Sequence, residues 1–98
     1  MAKPWFLELL EEHDPEFARL FAGDRDFIYQ EGAIPIKYKL LTALVVDALL
    51  NHTDGVASLA QQARSRGASE EEIREAVRLA FDCGGTPALI AALGAYRS

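Results

Sequence analysis

Apolar residues return every three or four positions along most of this chain, and no stretch alternates apolar with polar long enough to make a strand. The pattern predicts an all-α domain of about six helices. Residues 4–12 form the first, with Pro4 opening it and Trp5, Phe6, Leu9 and Leu10 on one side. Asp14 and Pro15 then pair as N-cap and first-turn residue of a second helix, in which Phe17, Leu20 and Phe21 fall at i, i+3 and i+4 and Gly23 invites a break. Gly32 closes that segment, and Pro35 suits the first turn of the next.

The third helix, residues 36–50, is apolar almost all the way round and yet carries one acid, Asp47. Such a helix has to be covered on several faces, and a chain of 98 residues has few helices to cover it. The expectation is a homo-oligomer in which other copies provide the shelter. Residues 51–55, rich in capping side chains, mark a break or a new helix start. Val56, Leu59, Ala60 and Ala63 then share a face that stops at Gly67. Ser69 and Glu72 have the spacing of a capping box, ahead of a stripe of Ile73, Ala76, Val77, Ala80 and Phe81. Thr86 and Pro87 open a last helix bearing Leu89, Ile90, Leu93 and Tyr96.

Composition narrows the class. Half the residues are apolar and 26% are charged, as in a globular chain, and the length suits a single domain over residues 1–98. A net charge of −5 with ten scattered basic residues argues against a nucleic-acid partner. The longest apolar run, residues 40–50, is interrupted by Asp47 and falls short of the roughly 20 residues that span a bilayer, so no membrane partner is expected. Acids follow the short apolar run near the N-terminus, which does not read as a signal peptide; the expected location is cytoplasmic. The single cysteine, Cys83, allows no internal disulfide and no CxxC pair, and is expected to be a small buried apolar filler. His13 and His52 lie far apart with no HxxxH spacing, so neither metal nor cofactor is expected.

Three segments stand in a suggestive order: Ile34-Pro35-Ile36-Lys37-Tyr38-Lys39, then Ala63-Arg64-Ser65-Arg66-Gly67 with Ser69-Glu70-Glu71-Glu72-Ile73, then Gly84-Gly85-Thr86-Pro87-Ala88. Through them, from about residue 14 to residue 96, the chain resembles the carboxymuconolactone decarboxylase and alkylhydroperoxidase D-like family. The resemblance implies an all-helical fold assembled as trimers or hexamers. In the peroxidase branch it also implies a glutamate on the apolar helix, a Cys-x-x-Cys at the next helix start and a histidine one turn later. Counted back from Gly67, those positions are Leu40, His52, Gly55 and Leu59. All four groups are missing, so a dithiol peroxidase is disfavoured.

His52 is the sharpest candidate for chemistry, because it stands at a helix start where the resembling enzymes place a reactive cysteine. A neutral imidazole there could act as a general base; the plainer reading is a polar turn residue. Asp47 is the second candidate. It lies about two helical turns after Leu40, on the same side and displaced toward His52 by about 10 Å. Burial among Leu44, Val45, Val46, Ala48 and Leu49 would deprive its ionised form of water, whereas in the plainer reading it faces solvent or pairs with Asn51 or Lys39. Tyr38 and Lys39, with Lys37, could bind a carboxylate substrate, though lysines at a helix start are more often a solvated face. Two functions compete: a thiol-independent acid/base enzyme acting on a small organic acid or lactone, and a non-catalytic oligomeric scaffold. The enzyme requires an enclosed polar pocket with converging side chains around residues 47–55, the scaffold a filled apolar contact or a solvated turn.

Overall fold

The computed structural model describes residues 5–97. Within them α1 (Leu7–His13), α2 (Pro15–Ile28), α3 (Ile36–Leu49), α4 (Thr53–Ser65) and α5 (Glu70–Ala92) follow one another, and a 3₁₀ turn over Leu93–Tyr96 closes the chain; no strand occurs among the described residues. Two of the caps stand where the side-chain chemistry asks for them, while the N-cap residues of α1, α3 and α4 give no side-chain hydrogen bond. Asp14 accepts a hydrogen bond from the Phe17 amide at 3.1 Å, and Ser69 and Glu72 form both halves of a capping box. Pro4 lies outside the described residues.

The core is aliphatic and rich in alanine. Ile36, Leu40, Leu44 and Ala48 make one buried stripe on α3, packed against Val56, Ala60 and Ala63 of α4 and Ile73, Val77 and Ala80 of α5. Small side chains on the facing helices let the backbones come close, and Leu40, Leu44, Ile73 and Val56 are the largest fully buried groups. Each such side chain contributes roughly 1.5–3 kcal/mol by leaving water. Arg64 ties the ends together: its guanidinium donates to both Glu70 oxygens at 2.7 and 3.0 Å and to the Ala95 carbonyl at 2.9 Å.

Several expectations change. α2 runs through Gly23 without a break and ends at Ile28 rather than near Gly32. The last two expected helices are both present; they follow one another within α5 but are separated by a non-helical step at Gly85 (φ 76, ψ −164), where glycine reaches a backbone region closed to other residues just ahead of Pro87. Trp5, Phe17 and Phe27 are exposed in the single chain, and Tyr29 packs partly buried against the main core. They belong to the α1–α2 hairpin, which buries Leu7 and Ala18 on itself and meets the other helices through side chains. Cys83 is exposed, not buried. Glu70–Tyr96 is long and apolar enough to cross a membrane by length and composition; here the Ile73, Ala76, Val77 and Ala80 side of it is core.

Candidate functional site

The site begins where α3 turns into α4. Asn51 adopts a left-handed backbone (φ 61), which asparagine tolerates better than most residues, and the chain reverses within two residues. The His52 amide donates to the Asp47 carbonyl at 2.8 Å, and His52 becomes the N-cap of α4. This short connection sets the two side chains together, with Asp47 Oδ1 at 3.4 Å from His52 Nδ1. The Asp47 side chain keeps 28% of its exposure and that of His52 60%, so the aspartate is half-buried and the histidine open to solvent.

Gly55, in the first turn of α4, completes the arrangement. A Cβ at residue 55 would collide with Asp47 Oδ2 and lie 3.1 Å from its Cγ. The absent side chain lets the carboxylate rest against the start of α4, where backbone amides lack helical partners and the dipole favours negative charge.

A cleft of about 710 Å³ opens beside the pair, walled by Asp47, His52 and Thr53 on one side and by Phe6, Phe21 and Arg25 of the hairpin on the other. An inner pocket of about 140 Å³ adjoins it, sharing Trp5, Phe6, Arg25, Asp47 and Gly55 and reaching in to Tyr29, Ser58 and Gln62. The Arg25 guanidinium lies over the rings of Phe21 and Tyr29, 5.8 and 5.1 Å from their centroids. Its Nε is buried without a hydrogen-bond partner, as is Gln62 Oε1, whose amide nitrogen donates to Ser58 Oγ at 3.1 Å.

Asp47 and His52 are therefore brought together, and Tyr38 and Lys39 are not part of this cleft. Lys39 Nζ donates to the carbonyls of Ile28 and Gln30 at 2.9 and 2.7 Å and so closes the C-terminal end of α2. Tyr38 borders a separate groove of about 400 Å³ with Leu41, Val45 and Leu79, and Lys37 sits over its ring while pairing with Glu72 at 3.1 Å. Leu40 and Leu59, at the positions that correspond to the glutamate and histidine of the peroxidase branch, are buried core. Among the described residues no three His, Cys, Asp or Glu side chains gather as a metal site.

Arg25 and Gln62 escaped the sequence reading. Their signals are local: Phe21, Arg25 and Tyr29 repeat at i, i+4 and i+8 and so stack on one side of α2, and Ser58 and Gln62 are an i, i+4 pair facing the same way on α4.

Compared with known proteins, residues 15–98 match the carboxymuconolactone decarboxylase family. No curated protein and no solved structure gives a match.

Proposed function

The chain belongs to the carboxymuconolactone decarboxylase family, and on that premise we propose that it is a thiol-independent acid/base enzyme acting on a small organic acid or lactone, working as a homo-oligomer. The observation that carries this reading is the polar cleft at residues 47–55, in which an aspartate and a histidine converge within 3.4 Å. A scaffold needs no such cavity.

The proposed roles rest on this pairing. Asp47 accepts the Nδ1 proton of His52 and fixes the ring, which leaves Nε2 to exchange a proton with a substrate in the cleft. The 3.4 Å separation is long for a hydrogen bond and is of the kind that shortens when a substrate fills the site. In a decarboxylation the C–C bond to the carboxylate breaks, carbon dioxide leaves, and the electron pair stays on a carbon conjugated to a carbonyl. His52, protonated on both ring nitrogens, delivers its Nε2 proton to that carbon and is left neutral with Nδ1–H still on Asp47. A dithiol cycle has no place here, because these 98 residues contain one cysteine and Cys83 does not line the cleft.

Exposed apolar side chains favour the oligomer. Val46 and Leu49 on α3 and Leu79, Ile90 and Leu93 on α5 and after it remain open to solvent in the single chain. By the family resemblance, the assembly is a trimer or hexamer.

The test is substitution at the pair. With a panel of small lactones and keto acids as substrates, His52→Ala is expected to lower kcat by about 10²–10⁴-fold and Asp47→Ala to lower it as well. Full turnover in both variants would overturn the assignment.

A further inference from the structure

The proton exchange assigned to Asp47 and His52 does not account for the electron pair of the broken C–C bond. In a decarboxylation of the kind proposed, conjugation carries that pair to a carbonyl oxygen, which is an enolate oxygen until the carbon is protonated. A negative oxygen in a cleft needs a positive partner. Among the described residues that wall the outer cleft, Asp47 and Asp54 are acids and His52 is tied to Asp47, so the one permanent cation is Arg25.

The guanidinium of Arg25 lies over Phe21 and Tyr29, the first a wall of the outer cleft and the second of the inner pocket, so it stands where the two cavities meet. Its Nε is sealed inside the protein, which leaves the edge bearing the two Nη atoms to meet a ligand. No carboxylate lies within 4.0 Å of that edge among the described residues, and no hydrogen bond engages it there. In a chain with 15 acidic residues, a guanidinium without an acidic neighbour keeps its donors for something else.

Two oxygens of an anionic substrate compete for those donors, and charge flow decides between them. On the departing carboxylate, Arg25 would strengthen the ground state and lose its partner as neutral carbon dioxide forms, which slows the step. On the carbonyl oxygen its attraction grows as charge arrives. The aromatic contacts and the sealed Nε hold the guanidinium in place beforehand, so little reorganisation is needed at that moment.

We infer that Arg25 is a third catalytic residue of the cleft, the cation that stabilises the enolate oxygen while His52 protonates the carbon. The inference rests on the decarboxylation reading of the same cleft. The bond to the carboxylate breaks, carbon dioxide leaves, and the electron pair moves through the conjugated system to the oxygen held by Arg25. It returns to the carbon as that carbon takes the Nε2 proton of His52, and solvent restores the proton.

A probe that cannot turn over tests the cationic seat: para-nitrophenol ionises to a planar oxyanion that resembles an enolate and has no carboxylate. Its ionisation is followed by absorbance as the intact protein is titrated in at a series of pH values. An opposite charge within about 4–6 Å favours the ionised form, so the bound probe is expected to ionise about 1 pH unit or more below the free one. Asp47 and Asp54 oppose that shift, and His52→Ala, which removes the other group able to carry positive charge, is expected to keep it. Arg25→Gln is expected to abolish the shift and Arg25→Lys to retain part of it, with helical circular dichroism as the check on folding. Equal affinity of the wild-type protein for the two forms, no saturable binding, loss of the shift in His52→Ala, or an undiminished shift in either Arg25 variant overturns the inference. On a substrate found with the panel of lactones and keto acids, Arg25→Gln is expected to lower kcat by about 10²–10³-fold with KM nearly unchanged. A raised KM at unchanged kcat would make Arg25 a binding group only and overturn the catalytic role. The probe is read without turnover, so the two readings fail separately. Full activity in His52→Ala and Asp47→Ala with the probe's shift intact removes the acid/base pair and leaves the cationic seat at Arg25 supported.

Discussion

The carboxylate of Asp47 occupies the space into which a side chain at residue 55 would project, and Gly55 leaves that space open. One residue on α3 is thereby held against the first turn of α4, beside His52 and at the mouth of the inner pocket.

Gly55→Ala tests this relationship directly. The added methyl must push the carboxylate away or shift the start of α4, at a cost of about 1–3 kcal/mol. Loss of turnover out of proportion to the loss of stability, compared by steady-state kinetics and urea unfolding, is the expected outcome. A variant with wild-type kinetics would show that the position of Asp47 does not matter.

Leu44 is fully buried between α4 and α5. Leu44→Ala is expected to destabilise the protein by about 2–5 kcal/mol, because alanine leaves a cavity that the surrounding small side chains cannot fill. Chemical denaturation measures it.

The capping box sets an acid limit on stability. Glu72 accepts from the Ser69 amide and pairs with Lys37, and both hold its carboxyl below the ordinary 4.5. A lowered folded value means that the contribution is present above pH 4.5 and is lost as the pH falls through the folded value. Glu72→Gln should therefore flatten the acid limb of the melting temperature between neutral pH and pH 3, while Ser69→Ala costs about 1 kcal/mol at neutral pH. An unchanged acid limb in Glu72→Gln would count against the pairing.

Lys39 serves α2 in this structure, since its ammonium closes the carbonyls of Ile28 and Gln30. Replacing it by methionine keeps most of the aliphatic stem and removes the donors. Amide exchange at the C-terminal end of α2 is expected to speed up, and hydrogen-exchange mass spectrometry would detect it. Unchanged exchange there would return Lys39 to the list of candidate ligand groups.

The open apolar side chains of α5 lead to an expectation for assembly. Sedimentation should give a particle heavier than the 10.8 kDa chain, and Ile90→Glu should lighten it, because a charge desolvated at a subunit contact is costly. A wild-type protein that sediments as a single chain would remove the oligomer from the proposal.

The sequence by itself determined the helices and the starts of two of them, since Asp14 caps α2 and Ser69 with Glu72 caps α5 locally. On the nearly all-apolar α3 it left open which side is buried, and the fold chose the stripe of Leu40, Leu44 and Ala48. The sequence also named Asp47 and His52 and, with one cysteine in the chain, set aside a dithiol. Such signals are legible because they act between residues a turn or two apart. Only the tertiary structure decided that Asp47 and His52 share a cleft, through the left-handed step at Asn51 and the space at Gly55. It alone drew Arg25 and Gln62 to the same pocket and turned Lys39 toward α2, because those placements depend on how the α1–α2 hairpin lies over α3 and α4, and no spacing along one helix encodes a contact between helices.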